Sequence, residues 1–250
     1  MKTVGICSIA TNGYDKYLID CIESYSNMRD AEFLTNWYIF SDVADELRGK
    51  IANSKEIHFH FFQIKSYGWP EATLLRYQIY SDHLESLNDD YLMHLDADML
   101  FTSDFVFPNL EIDSNTMFFV LHPGFANTRL GFRNPLKEIK KLLRLLIIGG
   151  HGAWETRKIS NAYVPRKLRR VYFCGGIWFG KKMEFSDFVS KQSVSVADDL
   201  ANDIIAKWHD ESHLNRYAAY NEVRILGPQY CYDGKVELSS KKPLVIAVEK

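Results

Sequence analysis

The chain alternates short apolar runs with segments whose apolar positions recur at helical spacing. The first run, residues 3–10, is rich in strand-forming residues and predicts a β-strand. Leu18, Cys21, Ile22 and Tyr25 then share one helical face, which predicts a helix directly after that strand. Because strands and helices keep alternating over the first hundred residues, we expect an α/β fold: one mostly parallel, mixed central sheet flanked by helices.

Further apolar runs extend this pattern. Strands are expected at residues 35–42, 56–64, 91–101 and 115–125. An amphipathic helix is expected at 71–87, with Trp69-Pro70 at its start. Sheets of this kind bind ligands outside the carboxyl ends of their strands, so the residues that follow the strands are the first candidates for a site.

Length and composition are typical of one globular domain. The chain has 250 residues, of which 46% are hydrophobic and 25% charged. A net charge of -2 argues against nucleic-acid binding through bulk charge. No apolar run approaches the about 18 residues that span a membrane, and the first residues lack a signal-peptide pattern. We therefore expect a soluble protein without a transmembrane anchor.

The four cysteines are Cys7, Cys21, Cys174 and Cys231. They lie far apart in apolar contexts and form no C-x-x-C pair. This pattern favours reduced, buried thiols over a zinc site or a disulfide framework. It predicts a reducing, cytoplasmic compartment.

Asp96 and Asp98 form a D-x-D at the end of an apolar strand pattern. Two neighbouring carboxylates repel each other unless a cation lies between them. Their hard oxygens suit Mg²⁺ or Mn²⁺, with a diphosphate completing the coordination shell. The alternative is an acidic turn at a strand end.

Residues 208–217 place a tryptophan, two histidines and two acids beside a predicted helix. His209 and His213 have the spacing of a zinc-hydrolase pair, but Asp210 stands where H-E-x-x-H requires a glutamate. A capping role for Asp210 or Ser212 is the structural alternative. An exposed tryptophan beside carboxylates is also typical of a sugar site, because it offers an aromatic face next to acceptors for hydroxyl groups.

Residues 172–180 contain two glycines inside an apolar strand pattern. Glycines at such positions indicate close approach by a ligand or by another segment of backbone. The glycine-rich phosphate loops G-x-G-x-x-G and G-x-x-x-x-G-K-[ST] are absent from the sequence.

Several segments together resemble glycosyltransferase family 6, the group that contains the histo-blood-group A and B transferases and the α-1,3-galactosyltransferases. The resemblance is carried by VLHPGF (120–125), WETRKISNAYVP (154–165), YFCGGIWFG (172–180), WHDESHLNRY (208–217) and GPQYCYD (227–233). It implies a GT-A fold and a metal-dependent hexosyltransferase. Such an enzyme moves galactose or N-acetylgalactosamine from UDP to a glycan acceptor, in α-1,3 linkage and with retention of configuration.

The resemblance also implies roles for individual residues. Asp96 and Asp98 would bind Mn²⁺ or Mg²⁺, and Glu211 would be the catalytic carboxylate. Donor-binding residues would be Ile9, Ala10, Thr11, Tyr14, Trp69, Arg76, Asp96, Ala97, Asp98, Cys174, Gly175, Gly176 and Asp210. Acceptor-binding residues would be His122, Trp208 and Asp233. The small residues at 174–176 would leave room at C2 of the donor sugar, which favours N-acetylgalactosamine.

The same resemblance divides the single domain into a nucleotide-sugar-binding half, 1–110, and an acceptor and catalytic half, 111–250. An insertion relative to the animal enzymes is expected at about 129–152. Within it, residues 136–148 predict a basic helix that either packs on the surface or touches a membrane. The lack of the animal enzymes' amino-terminal anchor implies a bacterial or phage-like form.

Two other classes of protein stay open at this point. One is a zinc-dependent hydrolase that uses His209 and His213. The other is a non-catalytic carbohydrate-binding protein that uses Trp208 and His122. The sequence carries no signal for the oligomeric state.

Overall fold

The computed structural model describes residues 2–27, 33–51, 57–108, 115–126, 149–234, 238 and 242–248. The strands within these ranges are β1 (Thr3–Ala10), β2 (Leu34–Ser41), β3 (Ile57–Gln63), β4 (Tyr91–Leu95), β5 (Met99–Phe101), β6 (Met117–Leu121), β7 (Phe173–Lys181), β8 (Val223–Leu226) and β9 (Val245–Ala247). The helices are α1 (Asp15–Ser26), α2 (Ala44–Lys50), α3 (Glu71–Leu74), α4 (Arg76–Ser81), α5 (Pro123–Ala126), α6 (Lys182–Ala201) and α7 (His209–Tyr220). Short 3-10 turns lie at Leu84–Ser86, Arg166–Leu168 and Pro228–Tyr230.

The central sheet has seven strands in the order β3-β2-β1-β4-β7-β6-β8. Four neighbouring pairs are parallel, and β7 runs antiparallel to both of its neighbours. Strands β5 and β9 form a separate two-stranded sheet. The predicted fold class, a single α/β domain with a mostly parallel mixed sheet, is confirmed, and the architecture is consistent with the GT-A type.

Two large apolar clusters lie on opposite faces of the sheet. Strand β1 contributes to both, because successive side chains of a strand point to opposite faces. Val4 and Ile6 join the cluster that contains α1 and α2, whereas Cys7 joins the one that contains α4, α6 and α7. The four residues that predicted α1 are all buried against the first of these clusters.

The helix expected at 71–87 is wrong in its last turn and a half. Helix α4 ends at Ser81, and a 3-10 turn follows. His83 explains the end, because its Nδ1 lies 2.8 Å from the carbonyl of Ile79, while its backbone N–H turns to Tyr80. The side chain thus binds a carbonyl that a continuing helix would bind with its backbone. The His83 ring also packs against Phe40, which fixes this arrangement.

The apolar run at 91–101 is divided between two sheets. Strand β4 ends at Leu95, directly before the D-x-D, and β5 begins at Met99 in the smaller sheet. The two acids therefore lie in the turn between these strands. The backbone N–H of Asp96 donates to Gly176 of β7, and that of Val248 donates to Asp98.

The cysteine prediction agrees with the structure, since all four thiols are buried and free. In the part of the chain that the structure describes, no helix has the length and apolar character that crossing a bilayer requires. The helix expected at 136–148 and most of the expected insertion at 129–152 lie outside the described residues.

Candidate active site

A cavity of about 420 Å³ lies where β1 and β4 end at one edge of the sheet. The chain runs from β1 outward to β2 and β3, then returns to β4 on the other side of β1. Such a reversal of strand order opens a crevice at the carboxyl ends of the strands. The lining residues are Ile9, Thr11, Asn12, Tyr14, Tyr67, Trp69, Ala72, Thr73, Arg76, Asp96, Ala97 and Asp98.

Most of this lining was predicted for the donor. Eight predicted donor residues lie in it, whereas the remaining five, Ala10, Cys174, Gly175, Gly176 and Asp210, do not line it. Sequence reasoning missed Asn12, Tyr67, Ala72 and Thr73. The Thr11 hydroxyl donates to the Tyr67 carbonyl at 2.9 Å, and this bond holds Tyr67 at the lining of the cavity. The Asn12-Gly13 turn after β1 was the available signal for Asn12.

Arg76 connects this cavity to helix α7. Its side chain is 6% exposed, and its Nη2 donates to Asp96 Oδ1 at 3.0 Å. Its Nη1 donates to the Gly175 carbonyl at 3.0 Å and lies 3.0 Å from Asp210 Oδ2. Burial alone would lower the pKa of Arg76, but Asp210 and Asp96 outweigh it and raise the pKa. One buried cation thus joins the carboxylate after β4 to the carboxylate at the start of α7.

His94 contacts the Arg76 guanidinium. Its Nε2 lies 2.8 Å from Arg76 Nη1, and since a guanidinium only donates, this nitrogen must accept. The proton therefore sits on Nδ1, 2.8 Å from the Tyr80 hydroxyl, which in turn donates to the Cys7 carbonyl. Burial, followed by the charge of Arg76, lowers the pKa of His94 to about 4. His94 is a neutral acceptor whose role the sequence did not indicate.

The D-x-D pair fits a divalent cation by its chemistry. Asp96 and Asp98 both line the cavity and both are partly exposed. Carboxylate oxygens are the ligands that Mg²⁺ and Mn²⁺ prefer. Among the described residues, no three or more histidine, cysteine, aspartate or glutamate side chains converge on a common metal position. A cation held by Asp96 and Asp98 would thus take further oxygens from a ligand or from water.

Glu211 lies in the first turn of α7, where two donors orient its carboxylate. The Tyr172 hydroxyl donates to Oε1 at 2.7 Å, and the Gly175 backbone N–H donates to Oε2 at 3.0 Å. Burial raises the pKa of Glu211 to about 7; the charge of Asp210 adds to this, whereas the two hydrogen bonds oppose it. Burial also raises the pKa of Asp210 to about 7, despite the attraction of Arg76. Adjacent acids with raised pKa values are typical of functional sites.

Helix α7 is fixed to β7 by a side chain that no sequence pattern singled out. The Asn215 amide donates to the Phe173 carbonyl at 2.9 Å and accepts from the Phe173 N–H at 2.8 Å. The Tyr77 hydroxyl adds a bond to the Asp210 carbonyl at 3.1 Å. His209, the first residue of the helix, has a φ of 45°, a left-handed conformation that is uncommon for histidine. The long-range bonds of Tyr77 and Asn215 thus fix α7 in its place beside β7.

One predicted acceptor residue, His122, is connected to Glu211 through Tyr172. The His122 ring packs against Tyr172, the residue that also binds Glu211. Burial lowers the pKa of His122, and the charge of Asp233 opposes this shift, so Asp233 lies within electrostatic reach. Trp208 precedes α7 and is 49% exposed. Their role in binding an acceptor stays a prediction.

The two glycines of β7 allow close approach by side chains, where the sequence analysis expected a ligand or another segment of backbone. A Cβ at Gly175 would lie 3.1 Å from Asp210 Oδ2. A Cβ at Gly176 would lie 2.5 Å from the Met99 methyl and 3.0 Å from Asp96 Oδ2. The Met99 methyl and the Asp96 carboxylate therefore already occupy the space beside Gly176.

The structure does not favour the zinc-hydrolase alternative. The His209 ring packs against Trp69 with ring centroids 4.9 Å apart. The His213 ring is fully buried, with Nδ1 2.9 Å from Ser195 Oγ and Nε2 3.6 Å from Asp199. The two histidines thus have separate partners.

Comparison with known proteins shows similarity to glycosyltransferases. The model of the family described as "Glycosyltransferase family 6" matches residues 150–249. The chain is 28% identical to histo-blood group ABO system transferase 1 of Rattus norvegicus over 94% of this chain and 62% of the relative. It is 25% identical to O-antigen biosynthesis glycosyltransferase WbnI of Escherichia coli, over 89% and 82%. It is also 25% identical to globoside alpha-1,3-N-acetylgalactosaminyltransferase 1 of Gallus gallus, over 93% and 62%.

The α/β fold and the cavity between β1 and β4 are consistent with the similarity to these glycosyltransferases. The chain is thus similar to glycosyltransferase family 6 over its second part and to the named relatives over most of its length. It spans about 62% of the length of the rat and chicken relatives.

Proposed function

We propose that the protein is a metal-dependent, retaining glycosyltransferase. It moves N-acetylgalactosamine or galactose from a UDP-sugar to a galactoside-type acceptor in α-1,3 linkage. The observation that supports the proposal is the buried Arg76, because it contacts Asp96 in the cavity and Gly175, whose N–H binds Glu211. Donor binding and bond cleavage require these two features side by side.

The donor occupies the cavity at the ends of β1 and β4. Tyr14 and Tyr67 offer aromatic surface for the base, and Asp96 and Asp98 would bind Mn²⁺ or Mg²⁺ beside the diphosphate. When bound, such a cation neutralises negative charge on the departing UDP. Arg76 places Asp96 for this task and provides a second positive charge at the same end of the cavity.

Glu211 acts on the sugar itself. Its carboxylate stabilises the positive charge that develops at the anomeric carbon as the bond to UDP breaks. The bonds from Tyr172 and Gly175 hold both oxygens in place, so the site needs little reorganisation during the reaction. Asp210 lies on the donor side of Glu211 and binds sugar hydroxyl groups, whereas His122, Trp208 and Asp233 bind the acceptor.

The direct test is a panel of UDP-sugars with Mn²⁺, in which UDP release and transfer to galactosides are both measured. Release of UDP with transfer to a galactoside is the expected result. A non-catalytic carbohydrate-binding protein would release no UDP. A zinc hydrolase would contain bound zinc and would lose its activity when His209 or His213 is replaced.

Asp98→Asn is expected to lower turnover at least about a hundredfold, because the amide removes one anionic ligand of the cation. The measurement is turnover against Mn²⁺ concentration, with a thermal melt to show that the variant folds. Asp187→Asn, at an exposed surface ion pair with Lys191, is the control and should behave as wild type. Full wild-type turnover in EDTA would contradict metal dependence.

Gly176→Ala is expected to shift donor choice toward the sugar without an acetamido group. The added methyl must displace Met99 or press on Asp96, which reduces the room beside the D-x-D turn. We expect the ratio of kcat/KM for UDP-N-acetylgalactosamine to that for UDP-galactose to fall about tenfold. Gly180→Ala, at the other end of β7 against Met117, controls for strain in the strand. An unchanged ratio would mean that Gly176 does not shape the C2 pocket.

A further inference from the structure

The turn between α6 and α7, which carries Trp208, is bound by a buried carboxylate from another loop. Glu155 has a side chain that is 1% exposed. Its Oε2 accepts from the Lys207 backbone N–H at 2.9 Å, and Lys207 is the residue directly before Trp208. Because Glu155 and Lys207 are 52 positions apart, this bond connects two distant segments of the chain.

Arg157 adds a second connection to the same turn. Its Nε donates to Glu155 Oε1 at 3.0 Å, and its Nη2 donates to Oε2 at 2.6 Å. Its backbone N–H also donates to Oε1, at 2.8 Å. Nη2 donates in addition to the Ile205 carbonyl at 2.6 Å. The Glu155–Arg157 pair therefore binds the turn at two places, one N–H and one carbonyl.

These bonds keep the Glu155 carboxylate ionised. Burial alone would raise the pKa of Glu155, but the bonds from Arg157 and from the Lys207 N–H outweigh burial, and the pKa is lowered. In Glu211, by contrast, burial raises the pKa to about 7. Each oxygen of Glu155 already accepts from two donors, so neither has a lone pair left for a ligand. Glu155 is thus suited to hold the turn and not to transfer a proton.

The backbone of Trp208 is fixed on its other side by α7. Its N–H donates to Ser212 Oγ at 2.9 Å, and its carbonyl accepts from the Ser212 N–H at 3.2 Å. The Trp208 side chain itself is half exposed. With Lys207 bound to Glu155, both flanks of this exposed ring are held. An aromatic surface on an ordered backbone costs a ligand less conformational entropy on binding.

The same loop also contacts the residue that orients Glu211. Trp154, next to Glu155 in the chain, packs edge-on against Tyr172 with ring centroids 5.1 Å apart. The Tyr172 hydroxyl donates to Glu211 Oε1. Two neighbouring residues of one loop therefore connect to the two parts of the proposed site, Trp154 to the Glu211 side and Glu155 to the Trp208 side.

We propose that Glu155 is a positioning residue for the acceptor, because through Lys207 it fixes the Trp208 ring at a set distance from Glu211. This inference rests on the proposed function. In that mechanism the galactoside lies against Trp208, and its attacking hydroxyl must meet the anomeric carbon of the donor beside Glu211. A misplacement of about 1 Å in such a pair costs up to about a hundredfold in rate, so a fixed spacing favours transfer.

The test measures the KM for methyl β-galactoside and the KM for the UDP-sugar in parallel. Glu155→Ala is expected to raise the acceptor KM about tenfold, whereas the donor KM changes less than about twofold. Arg157→Met keeps Glu155 but removes the bond to the Ile205 carbonyl, and it should raise the acceptor KM about threefold. Because the Arg157 side chain is 48% exposed, this second variant decides the question if Glu155→Ala does not fold.

A double-mutant cycle separates positioning from a general loss of structure. In a Trp208→Ala background, Glu155→Ala should raise the acceptor KM no further, since its effect passes through the Trp208 ring. Asp89→Asn is the matched control. Asp89 is also buried, lies before β4 at the opposite end of the sheet from the cavity, and accepts from Asn36 and Tyr38. This control should lower the melting temperature without changing the acceptor KM.

Three results would overturn the inference. One is a wild-type acceptor KM in Glu155→Ala and Arg157→Met. Another is that the effects of Glu155→Ala and Trp208→Ala on the acceptor KM multiply, because Glu155 would then not act through Trp208. The last is an equal rise of the acceptor KM in Asp89→Asn. If no donor releases UDP, the proposed function fails, and calorimetric titration with methyl β-galactoside supplies a dissociation constant for the same cycle.

Discussion

Replacing Glu211 by glutamine is expected to lower turnover by about a hundredfold or more while the affinity for the UDP-sugar hardly changes. Glutamine keeps the size of the side chain and can bond both the Tyr172 hydroxyl and the Gly175 N–H. Only the negative charge is lost. In the proposed mechanism that charge acts on the cationic sugar of the transition state, so the loss should fall on kcat rather than on binding. Steady-state kinetics together with donor titration measure the two effects separately.

Glu222→Gln, an exposed glutamate just after α7, is the matched control and should keep wild-type kinetics. A Glu211→Gln protein that retained turnover but lost donor binding would reassign Glu211 to recognition of the donor. Equal melting temperatures for the two variants would show that the loss of turnover is not a loss of folding.

Replacing Arg76 by methionine is expected to cost about 3–5 kcal/mol of unfolding free energy and to abolish transfer. The methionine fills a similar volume but leaves Asp210, with a side chain 7% exposed, without its cation. Asp96 is 32% exposed and can be partly solvated, so most of the cost comes from Asp210. Equilibrium unfolding in urea over a range of pH measures the change. Burial raises the pKa of Asp210 to about 7, and removing Arg76 takes away the attraction that opposes this shift, so the loss of stability should grow as the pH rises.

The double variant Arg76→Met/Asp210→Asn provides the internal control. Removing the stranded charge should restore part of the stability but none of the activity. A loss below about 1 kcal/mol in the single variant, the range of exposed ion pairs, would contradict a buried and essential role for Arg76.

Local patterns predicted the elements whose burial is decided by neighbours in sequence. The buried face of α1 and the apolar run of β1 are local patterns, and both elements appear as expected. The end of the helix at Ser81 was missed, because the His83 ring takes up a carbonyl and packs on a residue from β2. The division of residues 91–101 was missed for a similar reason, since β5 pairs with a strand from the other end of the chain.

In the candidate site, too, residues in short motifs were predictable, whereas those defined by distant partners were not. Asp96 and Asp98 stand in a D-x-D, so a cation site could be predicted from residue type and spacing, whereas the role of Glu211 was implied only by the family resemblance. His94 reads as one more residue of a buried strand, and its function as an acceptor depends on Arg76, which lies 18 residues earlier. Asn215 reads as a polar helix residue, and its partner Phe173 lies 42 residues away. Contacts across such separations have no signature in a single sequence.

The Asn215 amide makes the position of α7 independent of the loop that precedes it. An asparagine side chain presents the same donor and acceptor as a peptide group, so α7 is registered to β7 as an added strand would be. Asn215 and Glu211 lie one helical turn apart, and the Asn215 amide also bonds the Glu211 carbonyl at 2.8 Å. The distance between the Glu211 carboxylate and Gly175 is therefore fixed by the attachment of α7 to strand β7. The loop between α6 and α7 can then change in length or sequence while Glu211 keeps its position beside β7.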